Sequence, residues 1–233
     1  MPVRGVVFDL FGTLVEGWGQ LTAALKAAEV ARILEVPETE FREVMANSYT
    51  DRASGRLGPP PEMLRRLCAR LGRSPSPEAV ARAGQLRLSQ FQEVLAEPRP
   101  EVTSLLALLR VRGQRLAVIS DCSGETPVLW PGLAWARPIQ AAVFSFVEGV
   151  RKPDQHLYRK AISDLGLEPG ECLFVGDGGS QELSGAVRAG MRACQLSVPR
   201  LDGDQLLQYD PDPLWDGSVV GSLFAVLPLL AEG

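Results

Sequence analysis

The chain has 233 residues, of which 45% are hydrophobic and 22% charged, and its net charge is -4 at pH 7. This length can bury a substantial core, in one large domain or in a domain that carries an inserted subdomain. The acidic balance provides no basic surface for nucleic acid or for anionic membranes, so neither partner is expected. No apolar run reaches the ~18 residues of a membrane-spanning helix.

Four cysteines are widely separated and lack metal-ligand spacing, which is typical of reduced thiols. The first apolar segment is interrupted by Asp9 after a few residues, so it does not match a secretory signal. The composition therefore predicts a globular cytoplasmic protein.

That first segment, Val6-Val7-Phe8, ends in Asp9 and is followed by a turn that contains Gly12. In a buried parallel strand, the side chains at the carboxyl end face the crevice where α/β proteins hold ligands. Asp9 is therefore a candidate ligand-facing residue. Asp is also common as a helix cap, and this segment alone leaves the two interpretations equal.

A block of about 80 residues after the first strand shows helical spacing and no strand pattern. Helices are predicted at residues 21–34, 38–49, 61–71 and 77–95, separated by loops rich in Gly and Pro. The pattern predicts a helical subdomain at residues 16–97, with a core formed by residues 1–15 and 98–233. An insertion at the carboxyl end of a strand lies over the ligand crevice and can act as a lid.

From residue 98 onward, predicted strands alternate with predicted helices. The strands are expected at residues 115–120, 141–146, 171–177 and 192–196, and the helices at 101–111, 154–165 and 180–189. A loop at 210–213 precedes a closing helix at 218–230. Such alternation predicts an α/β fold, a parallel sheet covered on both faces by right-handed crossovers.

Polar residues also end the second strand and precede a later helix. Ser120 and Asp121 follow an apolar strand, where a hydroxyl and turn amides can hold an anionic oxygen. The alternative is a simple strand-to-helix turn. Lys152 is one of three lysines and lies beside Pro153, which makes the alternative of a solvated surface lysine less convincing than usual.

Two further carboxylates, Asp177 and Glu182, lie five positions apart around a glycine-rich turn. Carboxylates at the tip of a strand and on the next helix suit Mg²⁺, which takes a few carboxylates together with water and substrate oxygens. The alternative is a capped helix with an acidic first turn. We favour the metal because Asp9 would end a neighbouring strand of the same sheet.

Four segments together resemble the haloacid dehalogenase-like hydrolase superfamily. They are FDLFGTL at residues 8–14, AVIS at 117–120, RKPD at 151–154, and GDGGSQELSGA followed by AGM at 176–191. Their order and spacing both agree with the family. The resemblance implies a Rossmann-like parallel sheet core with an all-helical cap inserted after strand 1.

The resemblance also implies roles for individual residues. Asp9 would be the nucleophile that forms a covalent aspartyl intermediate, and Lys152 would neutralise it and the developing charge. Thr13, Ser120 and Asp121 would bind the substrate, a small and phosphorylated molecule. The protein would act as a monomer or homodimer.

The same resemblance implies a Mg²⁺ cofactor. Asp9, the carbonyl of Phe11 and Asp177 would hold the ion, together with Glu182 directly or through water. An anionic carboxylate that attacks a phosphate dianion is repelled unless such a cation and a lysine screen it.

Phe11 departs from the pattern of the family's phosphatases, which have at this position a second Asp that transfers protons. Three functions follow. The first is a Mg²⁺-dependent phosphoryl hydrolase that is slow or restricted to good leaving groups, because losing a general acid/base costs about 10²–10⁴-fold. The second is a metal-independent 2-haloacid dehalogenase, since halide leaves without a proton. The third is a non-catalytic anion binder.

Two side issues concern residues near the proposed site. Asp121 and Glu16 are the two candidates for replacing the general acid that is missing at position 11, because both follow predicted strand ends. Trp18, between Gly17 and Gly19, either covers the substrate or packs within the cap.

Overall fold

A computed structural model describes residues 2–199, 211–213 and 215–231. Its centre is a six-stranded sheet in the order β3-β2-β1-β4-β5-β6, in which every neighbouring pair is parallel. The strands are β1 (Gly5–Phe8), β2 (Arg115–Ser120), β3 (Ala141–Phe144), β4 (Cys172–Gly176), β5 (Arg192–Leu196) and β6 (Val219–Val220). The predicted parallel α/β fold is confirmed.

Ten α-helices belong to the described part of the chain. They are α1 (Gln20–Leu34), α2 (Glu38–Asn47), α3 (Tyr49–Ala53), α4 (Pro60–Arg70), α5 (Pro77–Ala96), α6 (Val102–Val111), α7 (Glu125–Leu129), α8 (Ser145–Glu148), α9 (Gln155–Leu165) and α10 (Glu182–Arg188). None of the described helices is long and apolar enough to cross a membrane.

Strand β1 lies in the middle of the sheet, and both of its faces are covered. Val6 and Phe8 belong to one buried apolar cluster, which includes α6, whereas Val7 belongs to a second cluster on α9 and α10. Successive side chains of a strand point to opposite faces, so this continuous apolar run is what a central parallel strand requires.

Helices α1 to α5 lie between β1 and α6 in sequence and have an apolar cluster of their own, in which Phe41, Met63 and Leu64 are buried. Within this block α1 packs against α2 and α5, and α4 packs against α5. Helix α5 also packs against α7, and the indole of Trp135 donates a 2.7 Å hydrogen bond to the carbonyl of Leu95. The helical block therefore forms as predicted, while its limits at residues 16 and 97 stay a prediction.

The predicted closing helix at residues 218–230 is wrong. Val219 and Val220 instead pair with the edge of β5, and two short 3-10 turns follow at Leu223–Val226 and Pro228–Leu230. Pro228 has no N–H to continue a helix, and the free edge of β5 offers the two valines backbone partners. Of the predicted loop at 210–213, residue 210 lies outside the described residues.

Smaller differences concern the ends of elements near the sheet. Strand β3 stops at Phe144 rather than 146, because Ser145 begins the short helix α8 and its hydroxyl binds the backbone of Cys122 and Ala53. Helix α10 begins at Glu182 rather than 180, because Ser180 and Gln181 have φ of 55° and 50°, outside the helical region.

Candidate active site

The carboxyl ends of the three central strands bring together polar groups that are far apart in sequence. Asp9 follows β1, Ser120 ends β2, and Asp177 follows β4. Since β1 lies between β2 and β4, these residues meet at one edge of the sheet. The backbone N–H of Asp9 donates a 2.9 Å hydrogen bond to the carbonyl of Val175, which fixes the height of Asp9 relative to β4.

Lys152 reaches this edge from the loop before α9 and joins two of the carboxylates. Its Nζ lies 2.5 Å from Oδ1 of Asp9 and 2.5 Å from Oε2 of Glu182, and its side chain is only 4% exposed. Asp121 holds the loop, accepting hydrogen bonds from the N–H of Lys152 at 2.9 Å and from Nε of Arg151 at 3.2 Å. Asp121 therefore fixes the backbone of the loop from which the side chain of Lys152 extends.

Glu182, at the start of α10, is fully buried and depends on two glycines. Its Oε1 accepts a 3.0 Å hydrogen bond from the N–H of Gly178. A Cβ atom at Gly176 would lie 2.1 Å from the same oxygen, so no other residue fits there without moving the carboxylate. The hydroxyl of Tyr158 donates to the backbone carbonyl of Glu182 at 3.0 Å and secures this end of the helix.

The electrostatics of the cluster are dominated by burial and by repulsion between acids. Burial raises the pKa of Asp9 to about 6, with Lys152 opposing the shift and Asp177 adding to it. Burial and the neighbouring Asp9 raise the pKa of Glu182 well above its usual range. Burial alone would lower the pKa of Lys152, but Asp9 and Glu182 outweigh it and raise that pKa. The three carboxylates and the lysine carry a net charge of −2 when ionised.

The carboxylates have the spacing that a divalent cation needs. Asp9, Asp177 and Glu182 each offer an oxygen, and these oxygens all lie within 4.8 Å of one another. Oδ2 of Asp9 is buried without a hydrogen-bond partner among the described residues. Both oxygens of Glu182 already accept hydrogen bonds, so Asp9, whose Oδ2 accepts none from the described residues, is the better direct ligand of the two. This donor set fits Mg²⁺.

Two hydroxyls at the same sheet edge also lack partners. The side-chain oxygens of Thr13 and Ser120 are buried and have no hydrogen-bond partner in the described part of the chain, apart from the weakly bonding thiol of Cys122 beside Ser120. Buried hydroxyls are almost always paired, so two unpaired ones beside a carboxylate indicate a place for ligand oxygens. Asp121 is engaged by the lysine loop instead, and its predicted contact with substrate stays a prediction.

Both side chains considered as a replacement acid, Glu16 and Asp121, form ion pairs. Oε2 of Glu16 lies 2.9 Å from Nη1 of Arg99, and Asp121 binds Arg151. Phe11 is half-buried and meets the ring of Phe91 edge-on, with 6.4 Å between the ring centroids.

The sequence patterns missed a cavity of about 440 Å³ beside this site, lined by residues of α1, α2, α3 and α5 and by Phe11, Trp18 and residues 121–123. It contains Arg52 and Arg87, neither of which any motif singled out. One signal was available for Arg87. It lies four and seven positions after Ala83 and Val80, on the buried face of α5.

Comparisons with known proteins identify the family of the chain. Residues 3–190 match the family of haloacid dehalogenase-like hydrolases. The chain is 31% identical to a phosphoglycolate phosphatase of Rhodospirillum rubrum over 185 residues, 76% of this chain and 72% of that protein. It is 26% identical to an (S)-2-haloacid dehalogenase of Pseudomonas putida, over 84% of this chain and 86% of the relative.

A solved structure of a 2-haloacid dehalogenase from Pseudomonas syringae is similar over 98% of this chain and 97% of its own, with a TM-score of 0.69 and 26% identity. Sequence relatives therefore include both a phosphatase and a dehalogenase, and a dehalogenase structure shares the fold. The match over residues 3–190 covers most of the chain and includes the first three motif segments and all but the last residue of the fourth. The protein is a hydrolase and belongs to the haloacid dehalogenase-like family.

Proposed function

We propose that the protein is a Mg²⁺-dependent phosphoryl hydrolase of a small phosphorylated molecule, acting through an aspartyl phosphate on Asp9. The observation that carries the proposal is the excess of negative charge around Lys152, where Asp9, Asp177 and Glu182 gather. When all three carboxylates are ionised, the cluster has a net charge of −2, which one divalent cation balances.

The carboxylate of Asp9 forms a bond to phosphorus while the bond between phosphorus and the ester oxygen breaks. The ammonium of Lys152, 2.5 Å from Asp9, offsets charge on the carboxylate and on the phosphoryl group as they approach. The hydroxyls of Thr13 and Ser120 donate to phosphoryl oxygens. Water then attacks the aspartyl phosphate, and inorganic phosphate leaves with Asp9 restored.

Asp9, Asp177 and the carbonyl of Phe11 would hold the cation, with Glu182 acting through water because both of its oxygens are engaged. When bound, Mg²⁺ supplies positive charge that offsets the carboxylates and the phosphoryl oxygens. Glu182 itself keeps Lys152 in place.

Phe11 restricts the substrates of such an enzyme, since a phenyl ring transfers no proton. The leaving group departs as an oxyanion, so esters of acidic alcohols, phenols and acyl groups are favoured over alkyl esters. The hydrolysis of the aspartyl phosphate also lacks a base and becomes the slow step.

A 2-haloacid dehalogenase is the second candidate, favoured by Phe11 and by the dehalogenases among the relatives. In that reaction Asp9 attacks carbon and halide departs without a proton. The acidic pair Asp177 and Glu182 argues against it, because a metal-free reaction gains nothing from additional negative charge beside its nucleophile.

One experiment separates these functions: phosphate release from an aryl phosphate with and without Mg²⁺, alongside halide release from 2-chloropropionate. We expect phosphate release that requires Mg²⁺ and disappears in Asp9→Asn, and no halide. Halide release that survives chelation would overturn the proposal in favour of the dehalogenase. Binding of a phosphate mimic without either product would identify the third candidate, an anion binder.

A further inference from the structure

The cavity beside Phe11 has an aromatic wall. The ring of Phe91, on α5, lies at its centre, with its centroid 6.4 Å from that of Phe11 and 4.7 Å from that of Trp18. All three rings line the cavity. The cavity borders the acidic site, because Phe11 follows Asp9 by two residues and because Asp121, which holds the backbone of Lys152, also lines it.

Next to the aromatic wall lie three buried charges whose sum is positive. Arg52 is 7% exposed, Arg87 is 3% exposed and Glu125 is fully buried. Nε of Arg87 lies 2.5 Å from Oε1 of Glu125, and the hydroxyl of Ser123 donates to Oε2 at 2.6 Å. Both carboxylate oxygens are thus engaged without Arg52.

Arg52 donates instead to two neutral acceptors, the hydroxyl of Ser48 at 3.2 Å and the carbonyl of Met45 at 3.0 Å. No ion pair to Arg52 exists among the described residues. Burial, followed by the neighbouring Arg87, lowers the pKa of Arg52 to about 10 although Glu125 opposes the shift, so its guanidinium still carries its charge at neutral pH. Two buried guanidiniums therefore share one buried carboxylate, and this leaves an excess positive charge that is costly unless an anionic ligand balances it.

The other basic residues that line the cavity have acidic partners. Lys26 pairs with Glu93 at 2.9 Å, and Arg42 lies 3.9 Å from Glu38 with about half of its side chain exposed. Glu43 also lines the cavity but is exposed to solvent. Asp121 is buried at the cavity wall but pairs with Arg151, so the excess positive charge in the buried part of the cavity is the one that Arg52 adds to the pair of Arg87 and Glu125.

We propose that this cavity binds the leaving group of the substrate, and that this group is an aromatic ring bearing a carboxylate. The ring lies against Trp18 and Phe91, and the carboxylate pairs with Arg52. This inference rests on the proposed phosphoryl hydrolase. A volume of about 440 Å³ lies within the range of about 300–1,000 Å³ that is usual for ligand pockets.

The same assignment explains why an enzyme of this kind functions with Phe11. When the bond between phosphorus and the phenolic oxygen breaks, the electron pair stays on that oxygen as a phenolate. A phenolate is stable enough to leave without a proton, which it takes from water afterwards. In the proposed complex the ring of the leaving phenolate contacts Phe11, whereas an Asp at position 11 would place a negative charge beside that ring.

The test compares kcat/KM for 4-carboxyphenyl phosphate and for its uncharged analogue, 4-carbamoylphenyl phosphate, in the presence of Mg²⁺. The carbamoyl compound has the same shape and its phenol is no worse a leaving group, so a preference for the carboxylate reports binding. A charged hydrogen bond of this kind corresponds to a preference of about 10- to 100-fold.

In Arg52→Gln, we expect the ratio of kcat/KM for the carboxyl compound to kcat/KM for the carbamoyl compound to fall to about unity. Arg42→Gln, a second arginine of the same cavity, is the matched control and should keep the preference. If Arg52→Gln does not fold, the comparison of the two substrates on the unmodified protein still tests whether the cavity prefers a carboxylate. Equal kcat/KM for the two overturns the inference, as does a preference that survives in Arg52→Gln.

Acetyl phosphate separates a failure of this inference from a failure of the proposed function. It has a good leaving group and no ring, so the proposed hydrolase releases phosphate from it with Mg²⁺ and Asp9. Release from acetyl phosphate without a preference between the aryl compounds refutes the inference alone. No release from any of the three refutes both. Trp18→Leu should lower kcat/KM for both aryl compounds by a larger factor than it lowers kcat/KM for acetyl phosphate.

Discussion

Replacing Phe11 by Asp tests how far the departure of this site from the family's phosphatases limits its chemistry. The side chain lies two residues from Asp9, half-buried at the border of the cavity. A carboxyl group there would protonate the leaving oxygen and then activate the water that attacks the aspartyl phosphate. General acid/base catalysis is worth about 10²–10⁴-fold, which corresponds to about 3–5 kcal/mol of activation free energy.

The same substitution also loses packing. Phe11 meets Phe91 edge-on, an aromatic contact worth about 0.5–1.5 kcal/mol beyond its burial. That loss lowers the free energy of unfolding, whereas the gain lowers the activation barrier, so the two effects appear in different measurements. We therefore expect Phe11→Asp to be less stable than the unmodified protein and faster on alkyl phosphates.

The assay is steady-state and rapid-quench phosphate release with an alkyl and an aryl phosphate. The unmodified protein should show a burst with the aryl ester, because the aspartyl phosphate hydrolyses slowly, and almost no turnover of the alkyl ester. Phe11→Asp should remove the burst and raise kcat for the alkyl ester by about 10²-fold or more. Phe11→Asn is the control, since its amide has a similar shape and does not transfer protons. An equal gain in Phe11→Asn, or steady turnover of the alkyl ester by the unmodified protein, would refute the reasoning.

Three further substitutions test the remaining parts of the site. Asp9→Asn should abolish turnover and the acid-trapped phosphoprotein; retained turnover would exclude the covalent route. Lys152→Met should lower kcat by about 10²–10³-fold, as removal of a charge-stabilising donor does, and an unchanged kcat would contradict its role. Gly176→Ala places a Cβ 2.1 Å from Oε1 of Glu182 and should weaken Mg²⁺ binding in calorimetry, whereas Gly132→Ala, with no atom within 4 Å of its Cβ, should not.

The meeting of Asp9, Ser120 and Asp177 is the part of the site that the sequence predicts best. Each follows an apolar run of strand type, and parallel strands present their carboxyl ends at the same edge of a sheet. Placing them together requires only that their strands be neighbours, and β1 does lie between β2 and β4. The contact of Lys152 with Asp9 is different, because it depends on the path of a loop, and only the family resemblance indicated it.

The cavity shows where sequence patterns stop being informative. Arg87 lies on the apolar face of α5, so helical periodicity predicts its burial, but its partner Glu125 is 38 residues away on a short helix. Arg52 donates hydrogen bonds to neutral groups at the end of α2, the carbonyl of Met45 and the hydroxyl of Ser48, and no spacing rule identifies such contacts. The prediction of a closing helix at residues 218–230 was wrong for a related reason. The apolar composition of this segment suits a helix, but the open edge of β5 provides backbone partners that the sequence pattern does not show.

The choice between a phosphatase and a dehalogenase depends on charge more than on Phe11, because Phe11 suits both. A nucleophilic carboxylate must be ionised, yet burial and Asp177 raise the pKa of Asp9 in the absence of a cation. Glu182 adds a second buried acid whose pKa is raised as well. Lys152 alone does not balance the three carboxylates.

Any anionic substrate worsens this imbalance, and a phosphate dianion does so more than a haloacid. A site that has to bind such a substrate without a cation would be expected to lose one of its acids. This chain keeps Asp177 and Glu182, and it holds Glu182 through Gly176, Gly178 and Tyr158, so its fold maintains the negative charge. Negative charge that is maintained at this structural cost is best explained by a divalent cation, and the cation is what distinguishes the phosphoryl-transfer function.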